Sequence, residues 1–114
     1  MTDEDVLEDV ASLLEDECAR TILAATSAQP MTATELADRC DVSGPTIYRR
    51  IEDLRELNLV ETRTRPDTEG GHHEQLYTAT LSEVSVRLED GGFEVTVDRR
   101  ESIADRFTRL VEGM

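Results

Sequence analysis

Thr32-Ala33-Thr34-Glu35-Leu36-Ala37-Asp38-Arg39-Cys40-Asp41-Val42-Ser43-Gly44-Pro45-Thr46-Ile47-Tyr48-Arg49-Arg50-Ile51-Glu52-Asp53-Leu54-Arg55-Glu56-Leu57 is the stretch that decides the fold. A Thr followed three residues later by Glu is a capping box, in which each side chain satisfies a backbone N–H of the other residue. It opens a short helix through Leu36, Ala37 and Cys40. Asp41-Val42-Ser43-Gly44 breaks that helix. Ser43 or Gly44 then caps a second helical start, with Pro45 tolerated in its first turn, where no intrahelical bond is lost. Ile47, Ile51, Leu54 and Leu57 recur at helical spacing and line one face. The spacing predicts two helices joined by a four-residue turn.

Upstream, Val6, Leu7, Val10, Leu13 and Leu14 recur at helical spacing behind an acidic first turn that suits the helix dipole. A second helix runs through Cys18, Ile22, Leu23 and Ala25 and ends near Gln29-Pro30. Downstream the period changes. Val60, Thr62 and Thr64 alternate as in a strand, Pro66 to Gly71 is a turn cluster, and Leu76 to Thr80 reads as the return strand. Val84, Val86 and Leu88 alternate up to Asp90-Gly91-Gly92, and Phe93, Val95 and Val97 alternate away, which is a strong hairpin pattern. Ser102, with Asp105 three residues on, starts a last helix on which Ile103, Phe107, Leu110 and Val111 share a face. The expected class is α+β, mainly α, in the order of four helices, two hairpins and a helix.

The charge is the strongest compositional signal. Among 114 residues, 26 acidic groups face 12 basic ones for a net charge of −14, and the apolar fraction is 38%. All the basic residues are Arg, in a chain without the usually common Lys. Regular apolar periodicity argues against the disorder that such acidity can signal. Dense carboxylates, no Lys and many Thr and Ser resemble the proteins of salt-accumulating halophiles. In molar salt the Debye length is about 3 Å, so carboxylates hardly repel one another. The charge is also unevenly placed. Residues 1–43 hold 11 acidic and 2 basic groups, residues 44–81 hold 7 and 5 plus both His, and residues 82–114 hold 8 and 5. The middle segment is nearly neutral inside a very acidic chain.

Met31 to Leu54, closed by Asn58-Leu59-Val60 with Asn58 where Gly is usual, resembles the helix-turn-helix of the ArsR-like winged-helix transcription regulators of haloarchaeal type. The resemblance covers residues 10 to 81, with the first hairpin as the wing. The second hairpin and last helix are similar to an extension of small haloarchaeal members. The resemblance implies a winged helix-turn-helix with an additional β-hairpin and a C-terminal helix. Residues 1–81 are then the DNA-binding domain, and residues 82–114 belong to the same globular unit and serve dimerisation. It also implies a sequence-specific regulator of double-stranded DNA, a repressor, working as a homodimer in salt.

The second helix of the motif can be oriented from its own periodicity. With Ile47, Ile51 and Leu54 inward, the opposite face near the N-terminus carries Pro45 and Arg49, flanked by Thr46 and Tyr48, with Arg50 at the boundary. A major groove accepts a helix led by its N-terminal residues, and Arg is the commonest reader of guanine there. Ser43 and the N–H groups at the helix start suit a phosphate. Arg63, Arg65, His72 and His73 flank the wing tip. Each has a plainer reading alongside. Arg49 pairs with Asp53 four residues on, Tyr48 is a core-edge aromatic, Ser43 is only a cap, and the two His sit in a solvated loop.

Three further classes are weighed. Metal or redox sensing needs clustered ligands or paired thiols. Cys40 ends one helix and Cys18 lies a helix earlier, so the expectation is no metal and no cofactor. A winged helix used only for protein–protein contact would employ the acidic first helix and the extra hairpin. Catalysis has no Ser-His-Asp or Cys-His set and no phosphate-cradling Gly loop to rest on. No cationic, apolar leader and no apolar run near 18 residues is present, so a cytoplasmic chain without a membrane span is expected. Dimerisation is expected through Val6, Val10 and Leu14 with Ile103, Phe107 and Leu110, whose apolar faces exceed what one small domain needs.

Overall fold

The computed structural model describes residues 2–66 and 73–100. Four helices come first: α1 (Asp3–Glu15), α2 (Glu17–Ala28), α3 (Ala33–Cys40) and α4 (Gly44–Glu56). An oxygen-bearing side chain starts each one. Thr2 forms a capping box with Asp5, Asp16 accepts from the Ala19 N–H, Thr32 forms the box with Glu35, and Ser43 accepts from the Thr46 N–H. The capping box at Thr32 is thus where the sequence places it. The turn is one residue shorter than expected, because the Ser43 hydroxyl is the cap and Gly44 already lies in α4. Asp41 ends α3 in the left-handed region at φ 55°.

Two antiparallel hairpins follow. Strands β1 (Val60–Pro66) and β2 (His73–Ala79) pair from Val60↔Ala79 to Pro66↔His73. Strands β3 (Leu81–Glu89) and β4 (Gly92–Arg99) pair from Leu81↔Arg99 to Glu89↔Gly92, with an irregularity between Leu81 and Glu83. Gly91, at φ 97°, makes the tight reversal that a side chain would strain. Asn58, at φ 57°, occupies the left-handed position after α4, a conformation Asn adopts more readily than most residues. The molecule is therefore α+β, a helix-turn-helix with a β-hairpin wing and a second hairpin. The helix expected over Ser102 to Val111 and the turn from Asp67 to His72 lie outside the described residues.

The core is aliphatic and gathers where the helices meet the wing root. Ile22, Leu36, Ile47, Ile51, Leu54 and Leu59 are fully buried around it. Thr26 is buried with them and its hydroxyl donates to the Ile22 carbonyl at 2.7 Å, so it is not stranded there. Met31 exchanges two backbone hydrogen bonds with Tyr77, at 3.1 and 2.8 Å, which tethers β2 to the segment between α2 and α3. The wing root is fixed by this pairing as well as by β1.

The second hairpin is tied to the same body. Arg99 donates to the carbonyls of Asn58 and Leu57 at 2.9 and 2.7 Å, beyond the end of α4. Strand β4 packs on α1, and Val97 reaches the core. Here one expectation is corrected. Val10 and Leu13 are buried in the chain's own core, and Val6, Leu7 and Leu14 are half-buried. The apolar face of α1 is largely consumed inside the monomer, because β4 supplies the surface that covers it.

Removing the Ile51 side chain, 2% exposed, with Ile51→Ala is expected to cost about 2–5 kcal/mol, the range for a buried aliphatic truncation. Leu88→Ala, at a site 72% exposed, is expected to stay within about 0.5 kcal/mol. Urea unfolding in 0.5 M KCl measures both.

Candidate nucleic-acid interface

Ile47, Ile51 and Leu54 are 1%, 2% and 0% exposed, so the rotation of α4 about its axis is set. The opposite side of its first two turns then carries Pro45 and Arg49, both exposed, with Thr46 half-buried. Further along the same side come Glu52, Asp53 and Glu56. Cation and carboxylates are thus separated along the helix, Arg49 toward the N-terminus and the acids toward the C-terminus. A cleft of about 250 Å³ between α1 and α4, lined by Asp9, Asp53 and Glu56, continues the acidic half.

Arg49 makes no ion pair with Asp53, although the spacing would allow one. Arg49, Arg39 on α3 and Arg63 on β1 are the described arginines without a hydrogen bond or ion pair. The others are engaged. Arg20 donates to the Leu14 and Glu15 carbonyls at the end of α1, Arg99 to those after α4, and Arg100 to the Ser27 carbonyl in the last turn of α2. Arg55 pairs with Glu52, Arg87 with Glu89, and Arg65 with Glu74 across the wing. All three unengaged cations belong to the helix-turn-helix and its wing.

Arg50 has a different place from its neighbour. Its Nε lies 3.0 Å from Asp16 Oδ2, the same oxygen that accepts the Ala19 N–H at 2.8 Å as the cap of α2. One carboxylate therefore joins the α1–α2 junction to α4. Both side chains are about one-third exposed, so the pair is a restraint of modest strength. Asp16 escaped the sequence reading because it lies 34 residues from Arg50.

Ser43 is exposed, and its hydroxyl also lies 3.0 Å from the Thr46 hydroxyl, so the two close the start of α4 together. Tyr48 is 58% exposed on the flank of α4 that faces the wing. It lies near the Tyr77 hydroxyl, as do Glu52 and Arg55. Burial and then Tyr48 push the Tyr77 phenol above its usual value, while Arg55 opposes them. Tyr48 is therefore not part of the core. Arg63 and Arg65 are exposed on β1. His73 pairs with Pro66 in the β1–β2 ladder, and His72 lies outside the described residues. The Glu35 carboxyl sits below the ordinary carboxylate value, held first by the Thr32 N–H and hydroxyl and then by Arg65 and Arg39. The outer end of β1 and α3 are thus electrostatic neighbours. Arg39 was not singled out from the sequence, since an Arg in the last turn of a helix already has a role against the dipole.

The cysteines come together more closely than their spacing suggests. The Cys40 thiol donates to the Cys18 carbonyl at 3.7 Å. Burial pushes it up to about 12, and the neighbouring Cys18, Asp16 and Glu17 add to the shift. A thiol so placed is neutral near pH 7, the opposite of the activated thiolate that metal binding or oxidation requires. Among the described residues no group of three or more His, Cys, Asp or Glu side chains is placed to hold a metal ion. None of the described helices is long and apolar enough to cross a membrane.

Residues 13–63 match a family model described as a helix-turn-helix domain. The matched segment runs from the last turn of α1 through α2, α3 and α4 into β1, ending on Arg63. It includes the inward stripe of α4, Asp16, Arg50 and the three unengaged arginines. A search of curated proteins gives no significant match. The helix-turn-helix match carries the reading of a DNA-binding regulator, and the outer part of the wing and the second hairpin lie beyond it.

Two predictions follow from the site. In a cycle of Asp16→Ala, Arg50→Ala and the double variant, the losses of stability should be less than additive, with Asp16→Ala the costlier single change at about 1–2 kcal/mol because it also removes a helix cap. Thermal unfolding reads the coupling. The raised Cys40 pKa gives a pH dependence of known sign. The folded chain resists deprotonation more than the unfolded one, whose thiol has the ordinary value of 9.0, so its contribution is complete below pH 9 and is lost as pH rises toward about 12. Native alkylation of Cys40 by iodoacetamide, followed by peptide mass mapping, should be slow at pH 8 and accelerate steeply above pH 10. Cys40→Ala should flatten the alkaline loss of stability.

Proposed function

We propose that this chain is a sequence-specific regulator of transcription that binds double-stranded DNA, acts as a repressor, and works as a homodimer in the cytoplasm at high salt. The observation that carries this reading is Arg49, exposed and unpaired on the N-terminal half of a helix whose apolar stripe is fully buried. The N-terminal end of α4 enters the major groove, where Arg49 offers a bidentate contact to guanine O6 and N7. Pro45, Thr46 and Tyr48 flank it. Ser43 and the adjoining N–H groups take a phosphate. Arg63, Arg65, His72 and His73 serve the backbone or minor groove from the wing. Arg50 holds α4 at its angle through Asp16, with any DNA contact secondary to that.

The acidic total bears on how such binding responds to salt. An ordinary basic repressor releases about 0.9 counterion per phosphate it neutralises and weakens steeply as salt rises. Here Glu52, Asp53 and Glu56 follow Arg49 on the same helix, so cations are taken up between carboxylate and phosphate as the complex forms. Affinity for the preferred site should be flat or rising from 0.5 M to 2 M KCl, measured by fluorescence anisotropy. Arg49→Ala should lose about 1–3 kcal/mol for the preferred site, or roughly tenfold to a hundredfold, with little change for unrelated DNA. A fall of the ordinary steepness, or Arg49→Ala binding as well as the wild type, would defeat the reading.

A further inference from the structure

A cleft of about 240 Å³ lies between the end of α2 and the root of the wing. Its walls are Ser27 to Pro30, Glu61 on β1 and Thr78 to Thr80, with Arg100 entering from beyond β4. Glu61 and Thr78 are directly opposite in the wing, so their side chains share one face of it. Glu61 is half-buried and has no hydrogen bond or ion pair among the described residues. Arg100 is held at the cleft by its backbone N–H, which donates to the Thr80 carbonyl. Its guanidinium donates to the Ser27 carbonyl at 3.3 Å and pairs with no described carboxylate. A carboxylate and a guanidinium thus line one small cleft without meeting. The carbonyl of Thr26, another lining residue, has no helical partner, because residue 30 is a proline without an N–H.

We propose that this cleft binds a small free α-amino acid, its carboxylate on Arg100 and its ammonium between Glu61 and the carbonyl end of α2. The lining chooses the ligand. A simple anion is opposed by Glu61 and a simple cation by Arg100, whereas a zwitterion answers both. Its zero net charge also escapes the repulsion that a chain of −14 exerts on anions. A guanidinium fork matches a carboxylate. An ammonium brings three N–H donors, which suit both a carboxylate and the negative end of a helix. The cleft is smaller than the roughly 300–1,000 Å³ of sites for drug-sized ligands, so it takes a molecule of few atoms. Ala28, Pro30 and Ala79 supply apolar wall, which fits a short side chain.

The position of the cleft gives the ligand a role in DNA binding, a step that rests on the regulator reading. Arg63, unengaged among the described residues, follows Glu61 on the same face of β1. Pro30 precedes Met31, whose hydrogen bonds with Tyr77 tether the wing to the segment after α2. A ligand that joins Glu61 to the end of α2 adds a further tether at this root. The wing is then ordered before it meets DNA, and less freedom is lost on binding. The amino acid is accordingly a co-repressor. DNA tightens its binding by the same factor as it tightens that of DNA.

Thermal unfolding of the full chain in 2 M KCl, followed by circular dichroism with and without 20 mM ligand, tests the site. At least one of L-alanine, L-serine and L-threonine should raise the midpoint by about 3 °C or more, as for a ligand at about ten times its dissociation constant. Propionate and ethylamine, each with one of the two charges, should leave it unchanged. So should glycine betaine, whose nitrogen has no N–H. Glu61→Gln and Arg100→Gln should each abolish the ligand-dependent shift, whatever they do to the midpoint without ligand. No DNA enters this measurement, so failure of the regulator reading leaves its result standing. In fluorescence anisotropy the same amino acid should then tighten the wild type on its preferred DNA site at least about fivefold. No shift with any of the three, a shift shared by propionate or betaine, or one that survives Glu61→Gln would overturn the site. An unchanged affinity for DNA would overturn the co-repressor role.

Discussion

Three side chains on one stripe of α4, Ile47, Ile51 and Leu54, hold the rest of the structure to its arrangement. Each is fully buried, and burial of such a side chain is worth about 1.5–3 kcal/mol. A rotation of α4 by even one residue position would lift part of the stripe into water and drive Tyr48 or Arg50 toward the core. The Arg50–Asp16 pair, part-exposed and worth at most about 1 kcal/mol, could not impose that rotation unaided. The apolar stripe sets which way α4 faces, and the ion pair refines its angle against the α1–α2 junction. The exposure of Arg49 is a consequence of packing it takes no part in.

The same economy governs the arginines. Neither α1 nor α2 has a basic residue in its last turn, where a cation would oppose the partial negative charge of the unsatisfied carbonyls. Arginines from elsewhere fill the role: Arg20 reaches back to the end of α1, and Arg100 comes from beyond β4 to α2. A planar fork with several donors suits this use better than an ammonium point charge. With 12 cations among 26 carboxylates in the chain, the arginines left unengaged among the described residues are informative, and they cluster in the helix-turn-helix and wing.

Much of this was legible in the sequence because it is local. A capping box needs four residues, a buried stripe needs eight, and a hairpin announces itself through alternation and Gly. These signals gave α3, α4, both hairpins and the outward side of α4 correctly. What escaped depends on contacts far apart along the chain. The Met31–Tyr77 bridge, the reach of Arg99 to Leu57 and Asn58, and the sharing of Asp16 between Ala19 and Arg50 have no signature in spacing. The apolar surplus assigned to α1 failed for the same reason, since nothing in α1 reveals that β4 will cover it. Asn58 could be noticed as an unusual residue, but its left-handed backbone is what accounts for it.

The net charge and a polyanionic partner are reconciled by the range over which charge acts. At low ionic strength the whole −14 is felt at the DNA surface, and approach is opposed before any contact forms. In molar salt the screening length of about 3 Å is shorter than one side chain, so the carboxylates of α1 no longer bear on a phosphate at the start of α4. Only groups in direct contact then count, and at that end of α4 the one unpaired charge is Arg49. The separation along α4, with the cation in the first two turns and Glu52, Asp53 and Glu56 behind it, becomes the feature that orients approach. A helix entering by its N-terminus meets the duplex with its cation, and one lying flat along the groove would press its carboxylates against the backbone. Charge of the wrong overall sign can in this way still select the right docking geometry.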